Sequence, residues 1–211
     1  MVEVKGSNIT CALGHTTAQA YSAVNRGQCG ITSHSGRELG VTDDYMASVV
    51  DTSLIPIYGT VPMTRLEQMA IHSITDAAKS CDVDLTSSRT LFILSSTKGN
   101  IELLDGQQGL IDSTRVYMPE TARFIAEYFG NSNEPIVVSN ACISGLSAII
   151  LAKRLIDNGQ YDNVVVTGVD TVSKFTVSGF QSFKALSSGR CKPFDATRDG
   201  LNLGEAAATI I

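Results

Sequence analysis

The sequence has little of what builds metal or disulfide sites. Its five cysteines are odd in number, far apart and without the CxxC spacing typical of zinc sites. They are Cys11, Cys29, Cys81, Cys142 and Cys191. We therefore expect reduced thiols, with no disulfide framework, no metal and no cofactor.

Long hydrophobic runs and a basic stripe are also absent. No apolar run reaches the roughly 18 to 20 residues that span a bilayer. Met1 is followed by the strand-like VEVKGSNIT and not by a signal-peptide core. The charged residues are scattered along the chain and sum to −5. These absences predict a cytoplasmic protein that binds neither a membrane nor nucleic acid.

Length and apolar pattern predict one α/β domain over residues 1–211. A chain of 211 residues with 43% hydrophobic content can bury one sizeable core. Strand-like stretches alternate with helix-like ones, which is typical of a mostly parallel sheet covered by helices. Predicted strands lie within 2–13 and at 89–95, 135–139, 163–169 and 206–211. Predicted helices begin near 17, 65, 119 and 143, and a Phe-rich helical segment lies around 175–183. The segment 30–62 shows no clear hydrophobic period.

Two helices are characterised further by their apolar residues. The first, which stops at Gly27, places Ala20, Tyr21 and Val24 on one face. The helix at 143–157 has apolar residues nearly all round its axis, which indicates burial on several sides in the core.

The short apolar strand PIVVS runs directly into Asn140-Ala141-Cys142, so Cys142 is predicted at a strand-to-helix turn. At a helix N-terminus, unpaired backbone N–H groups and the helix dipole favour a thiolate and suit an oxyanion formed during acyl transfer. Gly145 leaves room for a substrate. Position alone leaves open that Cys142 is simply a small buried residue. For the other four cysteines a structural role is favoured.

Four blocks in order resemble the β-ketoacyl synthase family of the thiolase superfamily. They are SNACISGLSAI around Cys142, NVVVTGVD from Asn163, GFQSFKALS from Gly179 and CKPFDATRDGLNLGEAAA from Cys191. The opening GSNITCALGHTTAQAYSAVNRGQCGI is similar to the family's start. The resemblance implies a thiolase-like half, with a five-stranded mixed sheet and helices on both faces. Residues 1–211 would be the N-terminal domain, with the C-terminal half absent.

The resemblance also implies an activity. Cys142 would accept an acyl group from acyl carrier protein or coenzyme A and condense it with a malonyl thioester after decarboxylation. The pathway would be fatty-acid, polyketide or aryl-polyene synthesis, the last because SSTKGNI resembles synthases of aryl-polyene pathways. The implied partners are acyl carrier protein, the C-terminal half and a second copy of the chain, paired through PIVVS.

Two further residues enter as candidate substrate contacts through the resemblance. Phe180 matches a position that lines the acyl pocket, although a Phe in an apolar stretch also fits plain core. Lys98, in SSTKGNI, stands where an apolar residue is more usual. Because an unpaired buried charge is costly, Lys98 is expected to face water or a polar substrate.

The condensation histidines of the family stand in HGT-like and GH-like motifs of its C-terminal half, and the resemblance finds no counterpart of that half in this sequence. His15, His34 and His72 have no feature that places them at Cys142, so we expect none of them to be catalytic and expect no condensation by this chain alone. The PFDATRDG block and the following glutamate are expected to be architectural and not a metal or carboxylate site. This set comprises Asp195, Arg198, Asp199 and Glu205.

Three other interpretations remain open. A thiolase shares the wording around the nucleophile, but the PFDATRDGLNLGEA block argues against it. A chain-length-factor subunit shares the fold but replaces the cysteine, so Cys142 argues against that interpretation. The chain could also serve only to bind a partner half. If the second half normally covers one face, apolar surface is exposed without it, which predicts self-association.

Overall fold

A mixed five-stranded sheet forms the centre of the computed structural model, which describes residues 1–106 and 109–211. Its strands are β1 (Ser7–Cys11), β4 (Thr90–Ser95), β5 (Ile136–Val138), β6 (Asn163–Asp170) and β8 (Ala206–Ile210), in the order β1-β8-β6-β4-β5. β4, β5 and β6 are parallel, β8 is antiparallel to β6, and β1 is antiparallel to β8. The predicted five-stranded mixed sheet is confirmed.

Helices pack around this sheet and begin at local sequence signals. They are α1 (Thr17–Asn25), α2 (Gly36–Leu39), α3 (Arg65–Ala78), α4 (Met118–Tyr128), α5 (Ser144–Asp157) and α6 (Lys174–Ser182). A capping box starts α3, where the Thr64 side chain accepts from the N–H of Glu67 and Glu67 Oε2 accepts from the N–H of Thr64 at 2.8 Å. Pro119 lies in the first turn of α4. The predicted helices are confirmed to within a few residues.

One face of the sheet is covered by α3 and α4. Alternate residues of β4 point to opposite faces, so Phe92 and Leu94 face these helices while Leu91 and Ile93 face away. The inward residues of α3 are each exposed by 2% or less: Leu66, Met69, Ala70, Ile71, Ile74 and Ala77. This face therefore contains the main hydrophobic core of the chain.

The opposite face is covered by α5, and only in part. Ala148 and Ala152 are buried against β4 and β6. Leu146 and Ile150, in contrast, are 60% and 43% exposed. The expectation that α5 is buried on several sides is therefore wrong for the described residues. An apolar pattern does not by itself tell which side chains are covered, and the described residues cover this helix on one side only.

The face predicted for α1 is also wrong. Ala20 is buried as expected, but its buried neighbour is Ala23, and Tyr21 and Val24 are 69% and 59% exposed. Three of the five apolar residues in this nine-residue helix are alanines, so its amphipathic period is too weak to rank a small alanine above a large aromatic side chain.

The segment 30–62, for which no period is evident, contains part of a second sheet. β2 (Ile31–His34) and β3 (Tyr45–Ser48) are antiparallel, and β3 pairs in parallel with β7 (Leu203–Gly204). A 3₁₀ turn follows at Thr52–Leu54. Strands of two to four residues are too short for a period-2 pattern, and the pairing of β3 with β7 joins distant parts of the chain.

A buried polar network attaches the segment after β4 to α3. The Glu67 carboxylate is fully buried and accepts from Arg115 Nη1 at 3.1 Å and from Asn100 Nδ2 at 2.8 Å. Burial raises the pKa of Glu67, against the lowering effect of the Thr64 N–H and of Arg115. The guanidinium of Arg115 also lies 4.1 Å above the Phe124 ring. These contacts anchor both ends of the segment between residues 100 and 115.

Candidate active site

The parallel strands bring three loops to one edge of the sheet. Because β4, β5 and β6 run in the same direction, the segments that follow them leave from the same end. Ser95 is in register with Val138 on one side and with Gly168 on the other. Cys142 and Lys98, each three or four residues beyond these positions, therefore belong to neighbouring loops.

Cys142 lies in a tight turn between β5 and α5. The turn begins after Val138, and the preceding residue, Ala141, has a φ of 47°, a left-handed conformation that is unusual for a residue with a Cβ. The Cys142 side chain is exposed. The predicted position of this cysteine at a strand-to-helix turn is confirmed, and the alternative of a buried structural thiol is wrong.

The helix begins two residues after Cys142, so the thiol precedes its first turn and does not lie within it. The N–H groups of Ile143 and Ser144 each donate at 3.2 Å to carbonyls of the turn itself. Those of Cys142, Gly145 and Leu146 make no backbone hydrogen bond to any described residue. These three backbone donors of the turn and the first turn of the helix therefore remain available for another acceptor.

The space beside the turn is open. Apart from the glycine, its two chain neighbours and the adjacent backbone of its own helix, no heavy atom among the described residues lies within 4 Å of the position that a Cβ on Gly145 would occupy. The room expected at Gly145 is therefore present within the described part of the chain.

The loop after β4 is held by Asp170, the last residue of β6. Both oxygens of its carboxylate accept from the N–H of Thr97, at 3.0 and 3.2 Å, and Oδ1 also accepts from the hydroxyls of Ser96 and Thr97 at 2.9 Å each. Lys98 is half-buried, and its ammonium donates to the Thr97 hydroxyl at 2.9 Å. The ammonium is therefore positioned by a rigid turn at the same sheet edge as Cys142.

Sequence reasoning missed Asp170, Ser96 and Thr97 as parts of this edge. The only available signal was their position directly after apolar strands, where polar residues of parallel strands gather. Phe180 is half-buried in α6, the helix that begins four residues after β6 ends.

The side chains of the PFDATRDG block bond mainly within their own region. Asp199 Oδ1 accepts from the Ser187 hydroxyl at 2.6 Å, and Asp195 accepts from the Thr197 N–H at 2.6 Å. Hydrogen bonds from these groups, first from Ser187 for Asp199, lower the pKa of both carboxyls. Arg198 donates to the backbone carbonyl of Asp195 at 2.9 Å.

Glu205 joins three parts of the chain behind the site. It is buried, and its Oε2 accepts from the Val50 N–H at 2.8 Å and from Arg65 Nη2 at 2.6 Å, while Oε1 accepts from the Val172 N–H at 3.0 Å. These contacts tie the start of α3 and the connection to α6 to the last strand. Every oxygen is occupied by the fold, which matches the expected architectural role.

The histidines have structural partners. His72 is 7% exposed, accepts from Tyr58 Oη at 2.6 Å and donates from Nε2 to the His15 carbonyl at 3.2 Å. Burial is the main cause of the lowered pKa of His72. His34 stacks on Tyr45 in the small sheet. None of the three makes a hydrogen bond to the Cys142 turn in the part of the chain that the structure describes.

A cavity of about 610 Å³ opens elsewhere, between α2, the start of α3 and the segment after Lys98. Three cations, Arg37, Arg65 and Lys174, line it together with Glu38, Glu102 and Asp105. Burial raises the pKa of Glu102. The lining does not include Cys142, Lys98 or Phe180, so this cavity is separate from the cysteine turn.

Two further findings concern residues 1–106 and 109–211. No group of three or more His, Cys, Asp or Glu side chains is placed to hold a metal ion there. Nor does any helix of this part of the chain have the length and apolar character to cross a membrane.

Comparison with known proteins places this fold and site in one family. Residues 63–211 match the family model for the β-ketoacyl synthase N-terminal domain. The chain is 32% identical over 128 residues to putative polyketide β-ketoacyl synthase 1 of Streptomyces cyaneus, a match that covers 57% of this chain and 30% of the relative. It is 33% identical over 121 residues to the tetracenomycin polyketide synthase ketoacyl synthase alpha subunit of Streptomyces glaucescens, over 50% of this chain and 28% of the relative.

Solved structures share the fold. A chain of the complex between the ketosynthase ApeO and its chain length factor ApeC, from Xenorhabdus doucetiae, superposes with a TM-score of 0.86 at 23% identity, over 98% of this chain and 56% of that chain. A β-ketoacyl synthase from Burkholderia phymatum STM815 gives a TM-score of 0.81 at 22% identity, over 98% and 57%. This chain thus spans just over half of each solved chain, and its match covers under a third of the two curated relatives. The chain belongs to the β-ketoacyl synthase family.

Proposed function

We propose that Cys142 is the nucleophile of a cytoplasmic β-ketoacyl synthase that carries out decarboxylative condensation in polyketide, fatty-acid or aryl-polyene synthesis. One observation carries this proposal: an exposed thiol in a tight strand-to-helix turn, with unbonded N–H groups of Cys142, Gly145 and Leu146 beside it. The curated relatives support the polyketide option, since both are described as polyketide synthase components.

The chemistry follows from that arrangement. The Cys142 thiolate attacks the carbonyl carbon of an acyl thioester, and the neighbouring N–H groups stabilise the oxyanion. The C–S bond to the carrier breaks, the carrier leaves as its thiol after taking a proton, and the acyl group remains on Cys142. Loss of CO₂ from a malonyl thioester gives a carbanion that attacks this acyl group. The Cys142 thiolate is released with the β-ketoacyl product.

The second step needs groups that these 211 residues do not supply. No HGT-like motif occurs in the sequence, and its one GH pair, Gly14-His15, lies between β1 and α1. The rings of His72 and His34 are engaged with Tyr58 and Tyr45. We place the decarboxylation histidines on a C-terminal half, with 1–211 as the N-terminal domain. The isolated chain then performs acyl transfer at most.

Lys98 and Phe180 are proposed to face the substrate. Lys98 reaches the same sheet edge as Cys142 on a loop held by Asp170, and its ammonium has one protein acceptor among the described residues. The remaining donors suit a polar group on the acyl chain or carrier. Phe180, half-buried on α6, offers an apolar surface for the acyl chain.

The partners proposed are acyl carrier protein, its acyl and malonyl thioesters, the C-terminal half and a second copy of the chain. β5 supports the homodimer because it is an edge strand that pairs only with β4 among the described residues. The exposed face of α5, with Leu146 and Ile150, supports a covering partner.

A non-catalytic chain-length-factor role is the second candidate. Two solved relatives of similar fold are described as complexes of a ketosynthase with a chain length factor, ApeO–ApeC and the ishigamide pair. Retention of Cys142 in an exposed turn argues against this role. A thiolase is disfavoured because residues 63–211 match the ketoacyl synthase domain, PFDATRDG block included.

The test is acylation of the chain by octanoyl-coenzyme A, followed by intact mass and peptide mapping. We expect one octanoyl group on Cys142, loss of labelling in Cys142→Ala and normal labelling in Cys29→Ala, which removes another exposed thiol. Adding malonyl-acyl carrier protein should give no β-ketoacyl product. Acyl transfer that persists in Cys142→Ala would contradict the proposed nucleophile, and product from the chain alone would contradict the need for a second half.

A further inference from the structure

The turn that carries Cys142 is closed by a single buried hydroxyl. Ser144, the first residue of α5, is 4% exposed. Its Oγ accepts from the N–H of Asn140 at 2.7 Å and donates to the carbonyl of Ala141 at 2.7 Å. The Ser144 hydroxyl, two residues after Cys142, therefore links the backbones of Asn140 and Ala141, the two residues before Cys142.

This bridge acts where the backbone is strained. A left-handed conformation is unfavourable for a residue with a Cβ, and Ala141 has no side-chain group that could compensate through a local hydrogen bond. The backbone bonds of the turn, from Ile143 and Ser144, are longer, at 3.2 Å each. The Ser144 hydroxyl makes the two shortest hydrogen bonds that hold this conformation.

We propose that Ser144 is a positioning residue for acyl transfer, which rests on the proposed role of Cys142 as nucleophile. The turn must present two things in one geometry: the thiol, and the N–H groups that receive the oxyanion. The Ser144 hydroxyl keeps them together by locking the peptide units at Asn140 and Ala141. It does not touch the substrate.

The proposal separates two reactions of the same thiol. Acylation needs the thiol and the N–H donors aligned, because its transition state carries an oxyanion. Alkylation by iodoacetamide passes through no oxyanion and needs only an accessible thiolate. Loss of the Ser144 hydroxyl should therefore slow acylation far more than alkylation.

Folding should be affected little. Asn140 is exposed, so water can replace the hydroxyl as a partner for its N–H, and the carbonyl of Ala141 keeps the N–H of Ser144. Ser147 provides the matched control. It lies one turn further along α5, is half-buried, and its hydroxyl makes no hydrogen bond to a described residue.

The experiment measures rates of octanoyl transfer from octanoyl-coenzyme A and of iodoacetamide alkylation at Cys142 in four forms: wild type, Ser144→Ala, Ser144→Thr and Ser147→Ala. We expect Ser144→Ala to lower the acylation rate roughly tenfold to a hundredfold, as for a displaced reacting group, and the alkylation rate less than about twofold. Ser144→Thr, which keeps the hydroxyl, should recover most of the acylation rate, and Ser147→Ala should retain both rates.

Each contrary result has its own meaning. If wild type is acylated and Ser144→Ala is acylated equally fast, or if both rates fall together, the positioning role is wrong and the nucleophile role stands. If wild type itself accepts no acyl group, both proposals fail. The role of the hydroxyl is also overturned if no hydroxyl-bearing residue at 144, Ser144→Thr included, restores the acylation rate in a variant as thermally stable as wild type.

Discussion

The two faces of the central sheet differ in how completely their helices are covered. On the α3 face, Ile71 and Ile74 have no exposed surface. On the α5 face, Leu146 and Ile150 remain 60% and 43% exposed although their helix is equally long. Most of the stability of the chain is therefore supplied by the α3 face. The cysteine turn leads into α5, on the face that the described residues cover only in part.

This difference explains how a strained turn can persist. The strained residue Ala141 and the exposed Cys142 lie outside the main core, so they do not weaken its packing. The core in turn holds β4 and β6, whose ends carry the loop of Lys98 and its anchor Asp170. The site is thus built on a rigid sheet edge beside a surface suited to partners.

The largest effect expected from this comparison is on folding stability. Ile74→Ala should lower the free energy of unfolding by about 2 to 5 kcal/mol, because it leaves a cavity in a fully buried cluster. The matched change Ile150→Ala should cost less than about 1 kcal/mol, because the side chain already contacts water. Urea denaturation of both variants measures the difference, and equal losses would show that the α5 face is as covered as the α3 face.

A second, smaller effect concerns association through the open face. At micromolar concentration we expect the chain to self-associate, and Leu146→Glu should weaken that association by about tenfold or more, because a charge would enter an apolar contact. Tyr21→Glu, an exposed position on α1, should leave it unchanged. Sedimentation measures both. A well-behaved wild-type monomer, or equal effects of the two variants, would contradict a role for α5 in association.

The smallest effect is a pH dependence on the α3 side. The pKa of His72 is lowered from 6.5 in the folded state, mainly by burial. As the pH falls, the unfolded state therefore binds a proton at His72 at a higher pH than the folded state does. Stability is fully present above pH 6.5 and is lost as the pH falls toward the lower folded pKa. Protonation would also break the hydrogen bond from Tyr58. Melting temperatures between pH 7.5 and 5 should fall more steeply in wild type than in His72→Gln, and parallel curves would exclude His72 as the cause.

Much of the fold could be predicted because its signals are local. The helical period from Leu66 to Ala77, the proline that starts α4 and the β-branched runs of β5 and β6 each specify their own element. The small sheet could not be predicted, since β7 contributes two residues from 155 or more positions away from β3. Pairing over such a distance depends on the packing of the whole chain.

The site was predicted in part. The sequence predicts the strand-to-helix turn at Cys142 correctly, and the surrounding SNACISGLSAI block makes this residue the candidate nucleophile. Ser144 and Asp170 were missed, since a serine or an aspartate is common in any polar loop and only three-dimensional contact reveals what it bonds. The burial predicted for α5 was wrong because an apolar pattern does not tell which chain supplies the contact.

The most direct test of the account is the reactivity of Cys142 beside the other four cysteines in one chain. Brief treatment with iodoacetamide at neutral pH, followed by peptide mapping, compares it with Cys29, the other exposed thiol. We expect Cys142 to be labelled several times faster, because its thiol is exposed in a turn that leads into the N-terminus of α5. Equal rates at Cys142 and Cys29 would contradict a tuned nucleophile and leave the turn without its proposed chemistry.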